Sequence, residues 1–143
     1  MHERPVGRTK HGELTLDELA SIQPGMARLM GEVAHRYSLM TYACKGGNWE
    51  LGYHELKQLR GIFRIAMTTR PKYTAELEAF DRAYLGPIER AIGERDVEAF
   101  LVAVEKGIAA SDEAHRRLGY PFVRYRLPTQ PPDYLDLGPG GES

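Results

Sequence analysis

The sequence predicts an all-α fold, an antiparallel four-helix bundle followed by an extended, proline-rich C-terminal strap. Three observations predict it. Apolar residues recur at helical spacing in four separate stretches. Short clusters of Pro, Gly and capping residues divide those stretches. After Gly119, Pro121, Pro128, Pro131, Pro132 and Pro139 exclude a further helix. The 143 residues suit one domain. Its expected parts are a flexible N-terminal segment (1–13), the bundle (14–119) and the strap (120–143). No internal repeat and no β-hairpin signal is read.

Each element has a local reason. Thr15-Leu16-Asp17-Glu18 has the form of a capping box and opens a short helical stretch to about Ile22. Gln23-Pro24-Gly25 interrupts it, and Pro24 suits the start of a helix that runs to Cys44. Gly46-Gly47 supplies a C-cap and a tight turn, and Asn48 caps a second helix from Trp49 to about Thr68. Arg70-Pro71 ends it, because the residue before proline avoids the helical region. A third helix runs from about Lys72 to Tyr84 and is kinked or restarted at Gly86-Pro87 through Ile92. Asp96 caps a fourth helix, Val97 to Leu118, and Gly119 fits its C-terminal turn.

At about 100° per residue, each helix shows one apolar stripe. The second helix shows more. Leu51, Ile62 and Ile65 form an extra stripe on its far side, and Leu39 sits off the main face of the first helix. A helix apolar on two sides usually has two partners, which predicts a homodimer through the first and second helices. Polar groups also fall on inward faces: Arg60, Asp81, Ser111 and His115. Buried polar groups need partners. An Arg60–Asp81 pair satisfies two of them; alternatively Arg60, Ser111 and His115, with Tyr37 and Tyr53, line an interior pocket.

Composition excludes several function classes. Nineteen Lys and Arg against twenty Asp and Glu give a net charge of −1, unlike a protein that binds nucleic acid by counterion release. No apolar run reaches the length of a membrane span. The segment from Met1 to Arg8 carries no apolar signal region, which predicts a cytoplasmic location. A single cysteine, Cys44, excludes an internal disulfide framework and a Cys-rich zinc site. His54-Glu55-Leu56-Lys57-Gln58 starts like a zinc-protease helix, but Gln58 stands where the second histidine is needed, and His54 faces away from the core. Glu32-Val33-Ala34-His35 and Asp112-Glu113-Ala114-His115 have the carboxylate-x-x-His spacing of dinuclear metal sites. The helical period turns His35 outward, which counts against that reading. The strap segment from Phe122 to Leu127 alternates apolar and basic residues, so that its apolar side could close the end of the bundle nearest His115.

Three stretches carry a family resemblance: residues 91–100 (Ala91 to Phe100), Ser111-Asp112-Glu113-Ala114-His115, and Gly119-Tyr120-Pro121-Phe122-Val123-Arg124-Tyr125-Arg126-Leu127-Pro128. Together with Gly47-Asn48-Trp49-Glu50-Leu51 and His54-Glu55-Leu56, they resemble the cytochrome c′-like family over roughly residues 24–130. The resemblance implies a four-helix bundle, often dimeric, with haem held on the last helix by a C-x-x-C-H motif. Ser111 and Ala114 stand where the haem-bonding cysteines would be, and His115 where the axial histidine would be. Covalent haem is therefore ruled out on this chain.

The resulting expectation is a cytoplasmic, haem-free relative that binds a small organic ligand near His115, with Ser111, Arg60, Tyr37 and Tyr53 orienting it. Two alternatives stand beside it. One is non-covalent haem b with His115 as the axial ligand, serving gas sensing, haem carriage or peroxidase-like chemistry. The other is a ligand-free protein-interaction module. No second catalytic group beside His115 is forced by the sequence, so no reaction is assigned.

Overall fold

The computed structural model describes residues 4–139; residues 1–3 of the expected N-terminal segment and 140–143 of the expected strap lie outside the described residues. The first element corrects the all-α expectation. Strands β1 (Val6–Thr9) and β2 (Gly12–Thr15) form a two-stranded antiparallel sheet, with Val6 opposite Thr15 and Arg8 opposite Glu13. Arg8 and Glu13 also pair across the strands at 2.9 Å. Gly12 takes the turn at φ 140°, a conformation that side chains resist. The protein is mostly helical, but it is not a clean four-helix bundle.

Thr15 ends the hairpin and caps α1 (Leu16–Ser21). Its hydroxyl accepts from the Glu18 amide at 3.0 Å, and the Glu18 carboxylate accepts from the Thr15 amide at 2.9 Å. Helix α2 (Met26–Lys45) is capped at Gly46, and the Gly47 and Asn48 amides return to the carbonyls of Cys44 and Ala43. Asn48 then caps α3 (Trp49–Thr69), its side chain accepting from the Leu51 amide at 3.1 Å.

Beyond Pro71 the chain turns through α4 (Thr74–Phe80) and α5 (Gly86–Glu94), which are joined by a π-helical turn over Asp81–Leu85. Pro87 explains that turn. It has no amide hydrogen for the ladder, its ring crowds the carbonyl four residues back, and the Gly86 amide reaches Asp81 instead. Asp96 caps α6 (Val97–Arg117) through the Ala99 amide at 3.1 Å.

The core sits between α2, α3, the α4–α5 rod and α6, around Met40, Leu56, Leu59, Leu85, Ile88 and Phe100. Helix α3 is central: it packs on α2 on one side and on α4 and α5 on the other. This accounts for part of its second apolar stripe. Ile62 (5% exposed) packs with Leu29 and Ala66, and Leu39 is buried at 2%, whereas Leu51 is half-buried and Ile65 is 46% exposed. Two of the four residues expected at a homodimer face are thus consumed within one chain.

From Leu118 to Pro139 the chain has no regular secondary structure and runs back along α2. The Tyr125 hydroxyl donates to the Ala34 carbonyl (3.1 Å), that of Tyr42 to the Pro128 carbonyl, and the Asn48 side-chain amide to the Asp136 carbonyl (3.3 Å). Of the alternating segment, Tyr125 and Leu127 pack on the core, while Phe122 and Val123 stay exposed. No helix among the described residues is long and apolar enough to cross a membrane.

Candidate functional site

Helix α6 presents Gly107, Ser111 and His115 at successive turns along one line. His115 is half-buried, with Nδ1 2.8 Å from the Ser111 carbonyl and 3.4 Å from its hydroxyl. A carbonyl only accepts, so Nδ1 carries the hydrogen and Nε2 of the neutral ring keeps its lone pair. One turn earlier, the Tyr37 hydroxyl crosses Gly107 and donates to the Val104 carbonyl at 2.7 Å. Burial, with Tyr125 nearby, pushes the Tyr37 phenol well above its ordinary range, and burial pushes Tyr125 up to about 12. The two rings meet edge to face at 5.8 Å. These phenols are held un-ionised as packing and hydrogen-bonding groups.

The other two expected residues lie elsewhere. Arg60 is engaged by Asp81 at 3.0 and 3.2 Å and by Glu89 at 3.1 Å, which links α3 to the π-helical turn and α5. Tyr53 is exposed, with the Lys57 ammonium 5.0 Å from its ring centre. The structure therefore brings Tyr37, Ser111 and His115 onto one line and leaves Arg60 and Tyr53 out of it.

The paired carboxylate-x-x-His motifs do not converge. His35 is exposed and pairs with the Tyr134 hydroxyl at 3.1 Å, Glu32 lies 3.6 Å from Arg36, and Asp112 accepts from the Tyr125 amide at 3.1 Å. Among the described residues, no three His, Cys, Asp or Glu side chains form a metal-holding group. Sequence reasoning missed Glu55, which is buried against Arg36 at 3.1 Å between α2 and α3. Its place four residues after Leu51 and seven before Ile62, on the second stripe of this helix, was the available signal.

The glycine turn expected after α6 is present at Gly119; what sequence reasoning missed is the set of side chains that it displays. The Gly119 amide bonds to the Arg116 carbonyl and the Tyr120 amide to that of His115, while Gly119 adopts φ 92°. The Val123 amide then closes onto the Tyr120 carbonyl at 3.0 Å. This backbone displays Leu118, Tyr120, Phe122 and Val123 outward, with Phe122 76% exposed and its ring edge-on to Tyr120 at 6.0 Å. Arg116 and Arg124 flank the turn in sequence.

Compared with protein-family models, curated proteins and solved structures, the chain matches none. The resemblance to the cytochrome c′-like family rests on the residues quoted for it.

Proposed function

We propose that the protein is an interaction module that presents the Leu118–Val123 turn to a partner protein bearing apolar anchors and acidic residues. The observation that carries this reading is the exposure of Phe122 on a turn held by local bonds from the Gly119, Tyr120 and Val123 amides. Exposed aromatic and arginine side chains on a fixed backbone are what concentrate binding energy at protein interfaces, because little ordering entropy remains to be lost. Against this, the groups expected to orient an interior ligand are engaged inside the chain: Tyr37 by Val104, and Arg60 by Asp81 and Glu89. The reading places the module in the cytoplasm, in keeping with a lone buried thiol at Cys44.

The test is affinity purification with wild type and with Phe122→Ala and Tyr120→Ala, followed by titration of the purified partner. The reading expects a partner that wild type retains and both variants lose, with unchanged thermal unfolding. A partner set indifferent to both substitutions would overturn it.

One observation favours a second reading, non-covalent haem b. The bond from His115 Nδ1 to the Ser111 carbonyl leaves Nε2 as the free lone pair, the orientation that suits an axial ligand. A hemin titration decides: a saturable Soret band that His115→Ala removes supports haem, and its absence in wild type eliminates it.

A further inference from the structure

We propose that the face formed by α5 and α6 is a self-association surface, on which two copies of this chain pair about a two-fold axis near Val102. A groove of about 520 Å³ runs between these helices. Its floor is Ala91 and Ala103, both buried, and Val102 stands on its wall, 53% exposed.

The charges along it are ordered. Glu94 and Glu98 stand at the end where the two helices connect, Arg90 lies one turn back along α5, and Lys106 lies two turns along α6. Among the described residues, none of these four charges takes part in an ion pair within the chain. On α6, Glu98 and Lys106 are equally spaced on either side of Val102, about 6 Å away each at a rise of 1.5 Å per residue.

An acidic end, a small-residue centre and a basic end form a pattern that is complementary to itself after a half-turn. With two α6 helices antiparallel across the axis, Val102 meets Val102, and Glu98 of each copy faces Lys106 of the other. Such a contact is isologous and closes at two copies. The alanine floor lets the backbones approach, which a groove lined by large side chains would prevent. Among partners, a second copy is favoured because the charge order needs its own inverse, and the chain supplies it.

The groove is lined by ten residues, fewer than the 20–30 per side of a standard stable interface. The dimer is therefore weak, concentration-dependent and sensitive to salt. This face differs from the α2–α3 stripe, of which Leu39 and Ile62 are already buried within the chain. It is also independent of the Leu118–Val123 turn.

Sedimentation velocity of the full chain across the micromolar to millimolar range, at low and high salt, tests the proposal. Dimers should appear with concentration at low salt and recede at high salt. Lys106→Glu or Glu98→Lys turns attractive pairs into repulsive ones and should weaken association by roughly tenfold or more. The double variant carrying both changes restores opposite charges at each contact and should dimerise again. Val102→Glu, which sets two carboxylates on the axis, should leave a monomer with unchanged helical circular dichroism. A monomer throughout, a dimer indifferent to these changes, or a double variant that stays monomeric would overturn the proposal.

Discussion

Tyr37 and Gly107 fit together because Gly107 has no side chain. The phenol passes over it to reach the Val104 carbonyl, and a methyl group on Gly107 would stand 2.6 Å from the phenolic oxygen. Gly107→Ala gains about 1 kcal/mol of helix propensity. It also expels a buried hydroxyl from its bond, at a cost of about 1–3 kcal/mol, so urea denaturation should show a net loss of stability. In a Tyr37→Phe background the next obstacle is the ring carbon at 3.6 Å, an ordinary contact. There the same change should be neutral or stabilising. Equal effects in both backgrounds would mean that the crossing does not govern this position.

Cys44 lies 1% exposed against Gly52, and burial pushes its thiol up to about 12. Since the thiolate is the reactive form, labelling by a disulfide reagent at neutral pH should proceed only through opening of the α2–α3 contact. The labelling rate should rise with urea in step with unfolding. Rapid stoichiometric labelling of the native protein would contradict this.

Tyr125 supplies a pH dependence. Its phenol ordinarily titrates at 10.0, and burial raises it to about 12 in the folded state. Between those values the unfolded chain has released a proton that the native chain still holds, so stability falls as pH rises. It is fully present below pH 10 and lost as pH climbs through about 12. Urea midpoints at about pH 9 and about pH 11 should differ less in Tyr125→Phe than in wild type.

Asp112 holds the segment after α6 by accepting the Tyr125 amide at 3.1 Å. Asp112→Ala should cost about 1 kcal/mol. It should also accelerate hydrogen exchange at Tyr125 more than at core amides such as that of Leu59, a difference readable by NMR. Uniform acceleration would show that the segment opens only with the whole protein.

Helix starts were legible because they are local chemistry: Thr15 with Glu18, Asn48 and Asp96 cap where their side chains can reach an amide. The kink at Gly86-Pro87 was legible for the same reason, since a missing amide hydrogen is written in the residue type. The hairpin was not. Its two strands are four residues each and mostly exposed, so no buried face imposes an alternating pattern, and Lys10-His11-Gly12 carries no Asn-Gly turn signal. At the site, the Arg60–Asp81 pair and the Ser111–His115 line followed from helical spacing. Tyr53 did not, because a sector of about 60° on either side of a stripe includes positions at the solvent edge. On the outer stripe of α3, Ile62 is buried within the chain and Ile65 is exposed, a division not legible beforehand because sequence spacing reports how many sides of a helix are apolar, not which neighbours cover them.

The contacts of the irregular segment along α2 also set an order of assembly. Tyr125 meets Ala34 across 91 residues, Tyr42 meets Pro128 across 86 and Asn48 meets Asp136 across 88. Contacts of such separation repay their loop-closure entropy only after the intervening chain has collapsed. During synthesis α2 and α3 can pair as soon as both have left the ribosome, yet one flank of α2 stays bare until residues 125–136 emerge. A nascent chain stalled before that point would show Ala34 and Tyr42 to solvent and to chaperones, and the mature fold hides the same surface beneath its latest-made contacts.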